Sequence, residues 1–164
     1  MKPGDHPDFF RLPPPAGRSR ESTIVLTRDG RFLHDGEPVQ HPGMQRAFAS
    51  WLGRHPDDGR YILNNGYDWS YLTVEGALCF VQTVRDVQGK PVLLLLDGTE
   101  LPLDPDALRC DAEGQLLLEL PEGEPARFTA AAQLQLSPWL SERAGRIGVL
   151  ISGEFWSIQG AGSS

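Results

Sequence analysis

Lysine is almost missing from this chain. Of 164 residues only Lys2 and Lys90 are lysine, and the thirteen arginines are scattered along the sequence. Nucleic-acid binding needs clustered cations that displace counterions from phosphates. A chain with 15 basic and 22 acidic side chains, and a formal charge of −7, excludes that class of partner. Long apolar runs are missing as well. The longest is Val92-Leu93-Leu94-Leu95-Leu96, against the roughly 20 residues that a membrane-spanning helix needs. No membrane is expected.

Cysteine is limited to Cys79 and Cys110, too few for a disulfide framework. The opening Met1-Lys2-Pro3-Gly4-Asp5 lacks the apolar stretch of an export signal, so the expected location is the reducing cytoplasm. Cys79 lies in the apolar run Ala77-Leu78-Cys79-Phe80-Val81 and reads as a small buried hydrophobe. The acidic neighbours of Cys110 would raise its thiol pKa. Histidine is confined to His6, His34, His41 and His55. His34 and His41 are seven apart with no second pair beside them, which is not a ligand spacing. No Gly-x-Ser-x-Gly elbow occurs, and no glycine-rich loop opens a helix. Neither a metal nor any other cofactor is implied.

What is present is the composition of an ordinary globule, 40% hydrophobic and 23% charged. Nine carboxylates stand between Asp97 and Glu124 against Arg109 alone. Such a face keeps a protein in solution, or offers a surface to a basic partner or a cation. Residues 1–21 hold five of the fourteen prolines and no periodicity, and are expected to form an extended tail. Phe9, Phe10 and Leu12 are the side chains that would pin this tail to the globule or to a partner.

Structure begins at Ser22. Thr23-Ile24-Val25-Leu26-Thr27 is a strand by its β-branched content, Asp29-Gly30 a hairpin turn, and Arg31-Phe32-Leu33-His34 the return. Met44, Ala47, Phe48, Trp51 and Leu52 then fall at i, i+3, i+4, i+7 and i+8, the stripe of a helix packed on a sheet. Pro42 suits its first turn and Gly53 its end. Tyr61-Ile62-Leu63 and residues 69–74 pair across Asn65-Gly66, the dipeptide of a two-residue turn. Residues 80–87 and 92–96 pair across Gln88-Gly89. The class is α+β.

The second half echoes the first. Gly36-Glu37-Pro38 recurs as Gly123-Glu124-Pro125, and Gly66-Tyr67-Asp68-Trp69-Ser70 as Gly153-Glu154-Phe155-Trp156-Ser157, both at a shift of 87. Phe128, Ala132, Leu136, Trp139 and Leu140 have helical spacing, interrupted at Ser137-Pro138. The expected organisation is a tail over 1–21, a first repeat over 22–98 and a second over 99–164. Each repeat consists of antiparallel strands packed with one helix. Trp69 and Trp156 occupy equivalent positions in this scheme, as core anchors or as walls of a ligand groove.

Thr27-Arg28-Asp29-Gly30-Arg31, Gly36-Glu37-Pro38, His41-Pro42, Phe48-Ala49-Ser50-Trp51-Leu52 and Val74-Glu75-Gly76-Ala77 follow one another here. In that order they resemble the bacterial domain-of-unknown-function family 1285, from Thr23 to Ile158, with the first repeat the closer match. The resemblance implies two similar α+β repeats and a role in signal transduction. It brings no catalytic residue. This chain departs from the pattern in its slimmer join between repeats and in Asp68 before the first tryptophan.

The candidate ligand-binding residues are His34, Glu37, His41, Asp68, Trp69 and Glu75, which gather on turns and strand starts of the first repeat. No constellation for nucleophilic or acid–base chemistry accompanies them. The function expected is therefore a non-enzymatic regulatory or binding module, taking a protein or small-molecule ligand at a groove between repeats. The alternative is a small hydrolase or isomerase using a histidine–carboxylate pair in that cleft. A docking module whose tail folds on binding, and a homodimer paired through edge strands, are further readings.

Overall fold

Gly30, with φ of +84°, closes the first hairpin, and its N–H donates to the carbonyl of Thr27 at 3.0 Å. The computed structural model describes residues 1–160, and the chain divides between Gly76 and Ala77 into two units. The first unit contains strands β1 (Val25–Leu26), β2 (Phe32–His34) and β3 (Glu37–Pro38), then helix α1 (Pro42–Trp51). Strands β4 (Leu52–Arg54), β5 (Tyr61–Asn64), β6 (Trp69–Tyr71) and β7 (Thr73–Val74) follow. They form a four-stranded sheet in the order β3-β2-β1-β7 and a three-stranded meander β4-β5-β6.

Helix α1 starts at its predicted proline. His41 is the residue before it, and its Nδ1 accepts from the N–H of Met44 at 3.2 Å, satisfying one of the free donors of the first turn. Part of its apolar stripe packs as expected: Phe48 meets buried Phe32 edge-on at 5.4 Å and lies 5.8 Å from Trp51, whereas Met44 is 44% exposed. The helix ends at Trp51 rather than Gly53, because Leu52 and Gly53 already pair with Leu63 and Ile62 as strand β4. Asn65-Gly66 does not make a two-residue turn. Asn64 pairs with Trp69, and the four residues between are organised by Asn65, whose Oδ1 accepts from the N–H groups of Tyr67 and Asp68 at 2.8 Å each.

The second unit contains β8 (Phe80–Val87), β9 (Lys90–Leu95), β10 (Glu100–Pro102), β11 (Leu108–Cys110), β12 (Leu116–Leu118) and β13 (Ala126–Phe128). Helix α2 (Ala130–Leu136), β14 (Leu140–Arg143), β15 (Arg146–Ile151), β16 (Glu154–Ser157) and β17 (Gln159–Gly160) complete it. Its sheets run β10-β9-β8-β13-β12-β11-β17 and β14-β15-β16. Pro138 ends the α-helix as the sequence implies: residues Ser137–Trp139 continue as a single 3-10 turn. Thr129 caps α2 by accepting from Ala132 N–H, and Ala132 and Leu136 are buried in a core with Val81, Leu93, Leu108, Phe128 and Val149. The β8–β9 pairing is irregular between Val81 and Thr83, and there Gln135 of α2 accepts from the N–H of Val84 at 2.7 Å.

The fold is α+β, and the two units share one topology. β1 and β2, and β2 and β3, are antiparallel while β1 and β7 are parallel; β11, β12, β13 and β17 repeat this order and sense. Both meanders are antiparallel. The second unit alone adds three strands, β8 to β10, beside β13. That addition moves the join. The sequence places it after Gly98, but Phe80 and Val81 pair in parallel with Arg127 and Phe128, so the β8–β9 hairpin belongs to the second unit.

The structural register also differs from the sequence match by one residue. Thr73 and Gln159 pair with β1 and β11, Leu63 and Val149 pair with β4 and β14, and these positions are 86 residues apart, not 87. A shift of one residue moves a strand side chain to the other face. Trp69, opposite Asn64, lies on the face of Ile62 and Tyr71. Trp156, opposite Val149, packs on the core of its own unit. The two tryptophans therefore have unlike surroundings, and Ser70 holds the place of Trp156 in the first unit.

Candidate functional site

Residues 1–21 are not a free tail. Pro3–Asp5 and Phe9–Arg11 form 3-10 turns, and Phe9, 5% exposed, packs with Ile62 and Trp69 on the outer face of the first meander. Phe10 lies edge-on to Phe9 at 5.1 Å and to His55 at 5.6 Å. Leu12 is 52% exposed and pins nothing. Arg11 donates from Nη2 to Asp57 Oδ1 at 2.7 Å and from Nε to Oδ2 at 3.1 Å. Arg60 holds Glu21 through both guanidinium termini, at 2.8 and 2.9 Å, and stacks 3.6 Å over the ring of Tyr71. These contacts place a loop of residues 12–20 beside Trp69.

Arg20 closes that loop. Its Nη1 donates to Asp68 Oδ1 and, at 2.9 Å, to the carbonyl of Trp69; its Nη2 donates to the carbonyls of Leu12 and Pro13. The guanidinium lies 4.5 Å over the indole of Trp69, a cation–π arrangement. Between this loop, the end of α1 and the start of β6 is a cleft of about 270 Å³. Pro14, Pro15, Phe48, Trp51 and Leu63 supply apolar walls; Arg18, Arg20, Asp68, Trp69 and Ser70 supply polar ones. Ser70 leaves room where the second unit buries an indole.

Two polar atoms beside this cleft are sealed from solvent. Arg20 Nε and Trp69 Nε1 are buried N–H donors with no partner among the described residues, and both residues line the cleft. Trp69 is 6% exposed. Buried donors are nearly always satisfied, and leaving one unmade costs about 1–3 kcal/mol. A larger groove, about 710 Å³, lies in the second unit along Leu140, Ile147 and Ile158, without an unpartnered buried polar side chain among the described residues.

Of the six residues expected from sequence, only Asp68 and Trp69 meet at the cleft. His34 and Glu37 are cross-strand neighbours at the exposed end of the β2–β3 hairpin. His34 Nε2 stands 3.7 Å from Asp35 Oδ2, beyond hydrogen-bond reach, and Asp35 lies in the turn with φ of +52°. His41 is occupied as the cap of α1. Glu75 Oε1 accepts from the N–H of Arg28 at 3.2 Å and so braces the first hairpin. The structure adds Arg18 and Arg20, and gives Trp51 of the helix stripe a place on the cleft wall. The signal for the arginines was the Arg18-Ser19-Arg20 pair at the end of a proline-rich stretch, which composition alone assigns to a tail.

His55 is 7% exposed and structural: its Nδ1 accepts from Asp57 N–H at 3.1 Å, leaving Nε2 to donate to the carbonyl of Phe10. Burial first, then Asp97, pushes the Cys79 thiol up to about 11. Cys110 is also raised, but by burial ahead of its neighbour Asp111, not chiefly by acidic neighbours. No group of three or more His, Cys, Asp or Glu able to hold a metal occurs among the described residues. No helix among them is long and apolar enough to cross a membrane.

This architecture, two α+β units each combining an order-3-2-1-7 type sheet, one helix and a three-stranded meander, defines the class of fold. It is the fold of two solved proteins. A DUF1285 family protein from Silicibacter pomeroyi DSS-3 matches with a TM-score of 0.58 and 21% identity, over 86% of this chain and 81% of that one. A DUF1285 family protein from Shewanella baltica OS155 matches with a TM-score of 0.50 and 18% identity, over 73% of this chain and 94% of that one. Both carry the family name that the sequence motifs resemble. No family model matches this chain, and no curated protein matches it.

Proposed function

We propose that this protein is a non-enzymatic binding module whose ligand site is the cleft of the first unit, and that the amino-terminal segment makes its occupancy a regulatory signal. The observation that carries the reading is the cleft itself, closed on one side by residues 14–22, walled by Phe48, Trp51 and Leu63, with the Arg20 guanidinium stacked on Trp69 beside it. A ligand seated there covers apolar surface of Phe48, Trp51 and the proline pair. Because residues 14–22 form one side of the cleft, binding also stabilises the seated form of that segment. Such coupling suits a role in signal transduction. The free cysteines Cys79 and Cys110 support a reducing, cytoplasmic setting. The alternative, hydrolysis or isomerisation by a histidine–carboxylate pair, draws no support from His34 and Asp35, both exposed and 3.7 Å apart.

A thermal-shift screen of small metabolites against the wild type and Trp51→Ala tests this. A ligand at a hundredfold excess over its Kd adds about 2.7 kcal/mol of stability. Compounds that raise the wild-type Tm and leave the variant unmoved are expected. A screen without any shift, or with shifts equal in both proteins, contradicts the reading.

A further inference from the structure

One row of cross-strand neighbours differs between the two units. In the first, Leu26 of β1 pairs with Phe32 and with Val74, and Leu26 and Phe32 are 0% and 1% exposed. In the second, Cys110 of β11 pairs in the same way with Leu116 and with Gly160. Every member of the row is smaller there: cysteine for leucine, leucine for phenylalanine, glycine for valine. All three of the smaller residues line the groove of about 710 Å³. Protein interiors are close-packed, so side chains that fill the first unit are pared back in the second and leave a space.

The walls of that space continue the core. Ile147 stands on the same face of β15 as Val149 and Ile151, which are 0% and 8% exposed, yet it is itself 60% exposed. Ile158, whose N–H donates to the Ile147 carbonyl at 3.0 Å, and Leu140 extend the apolar wall. A core-facing isoleucine left in water forfeits the gain of burial, which an apolar ligand restores.

Shape and charge narrow the choice. The volume falls within the roughly 300–1,000 Å³ of small-molecule sites. No aromatic ring lines the groove among the described residues, and its apolar walls are aliphatic, so a saturated chain suits it. Arg146 is the one charged side chain in the lining; no aspartate or glutamate joins it there. Its guanidinium has no carboxylate partner among the described residues. The unbalanced charge is a single positive one, and the planar guanidinium fork matches a carboxylate.

We propose that this groove of the second unit binds a medium-chain aliphatic carboxylate. The chain lies against Leu140, Ile147 and Ile158 in the space left by the smaller row, and the carboxylate accepts from Arg146. This site shares no residue with the cleft of the first unit and goes beyond the reading given for it.

Titration calorimetry of the full chain with decanoate, decan-1-ol and decyltrimethylammonium tests both the groove and its charge preference. Decanoate is expected to bind one to one. An exposed ion pair changes affinity by up to about fivefold. Decanoate is therefore expected to bind about threefold to fivefold tighter than decan-1-ol, and the cation more weakly than either. Arg146→Gln, at an exposed position, is expected to weaken decanoate by that factor and leave decan-1-ol unchanged. Cys110→Leu with Leu116→Phe, which rebuilds the row of the first unit, is expected to abolish binding of both. Should that variant fail to fold by circular dichroism, Ile147→Asp, at an exposed position, decides; it is expected to weaken decanoate at least about tenfold. Trp51→Ala, in the first unit, is expected to leave decanoate binding unchanged, which keeps the two sites distinguishable. If none of the three ligands binds, if binding ignores Ile147→Asp, or if Trp51→Ala removes it, the groove is overturned as their site. If decan-1-ol or the cation binds as tightly as decanoate, or Arg146→Gln changes nothing, the carboxylate is overturned.

Discussion

The imidazole Nε2 of His55 lies 3.2 Å from the carbonyl oxygen of Phe10, 45 residues earlier in the chain. With Nδ1 engaged by the N–H of Asp57, the ring joins the amino-terminal segment to the loop after β4. Trp69 at 5.0 Å and Tyr71 at 5.9 Å enclose it. A proline-rich segment without periodicity becomes part of a folded unit because one buried ring donates a hydrogen bond to it and two aromatic residues fill the face beneath.

Phe9 and Leu12 should therefore differ sharply when truncated. Phe9→Ala removes a buried ring from the cluster with Ile62 and Trp69 and is expected to cost about 3 kcal/mol in urea unfolding. Leu12→Ala, at an exposed side chain, is expected to stay within about 0.5 kcal/mol. Equal effects would contradict the docking described.

Acid should loosen the same segment. The hydrogen bond from Arg11 holds Asp57 below the usual carboxylate range, that from Arg60 does so for Glu21, and those from Tyr71 and the Arg60 N–H do so for Asp58. A carboxylate whose folded pKa is lowered contributes its stabilisation above the unfolded value and loses it as pH falls through the folded one. The contribution is thus complete at neutral pH and lost below about pH 4. All three are solvent-exposed, so the effect is small and screened by salt. Backbone order parameters for residues 9–12, measured by NMR, are expected to fall between about pH 7 and pH 3. Asp57→Asn should show part of that fall already at neutral pH.

Gly148 and Gly53 offer a test of the two meanders. A Cβ on Gly148 would run into the carbonyl oxygen of Trp156 and the ring of Phe155, whereas one on Gly53 meets nothing. Gly148→Ala is expected to destabilise by about 3 kcal/mol. Gly53→Ala is expected to change stability by less than about 1 kcal/mol. Denaturant midpoints at unchanged m-value are the measurement.

Much of the local structure is legible in the sequence because it depends on near neighbours. The turn at Asp29-Gly30, the start of α1 at Pro42 and the break of α2 at Pro138 are each set by one residue's backbone chemistry. The strand register is not of that kind. A match of Gly-x-x-Trp-Ser at 87 looks like equivalence, yet β-strand faces alternate, and pairing partners 86 residues apart decide which way each indole points. The join is equally out of reach, since the place of β8 depends on parallel pairing with β13, with partners 47 residues on.

The site was legible only at Asp68 and Trp69, which share a turn signal and an aromatic. Arg20 acquires its role from contacts 48 and 49 residues away, to Asp68 and to the Trp69 carbonyl. His34, Glu37, His41 and Glu75 drew attention by residue type. The fold uses His41 and Glu75 as a cap and a brace, and leaves His34 and Glu37 on an exposed hairpin. Residue type marks capacity for chemistry; burial and convergence decide its use.

The indole N–H resonance of Trp51, which lines the cleft, is the most direct observable. The indole N–H of Trp139 donates to the carbonyl of Gly89 at 3.0 Å, in the second unit, and serves as an internal reference. On titration with a compound that raises the wild-type Tm, followed by proton–nitrogen correlation spectra, the Trp51 signal is expected to move to saturation and the Trp139 signal to stay. A Trp51 signal that stays in place at saturating ligand would contradict a ligand held in the cleft.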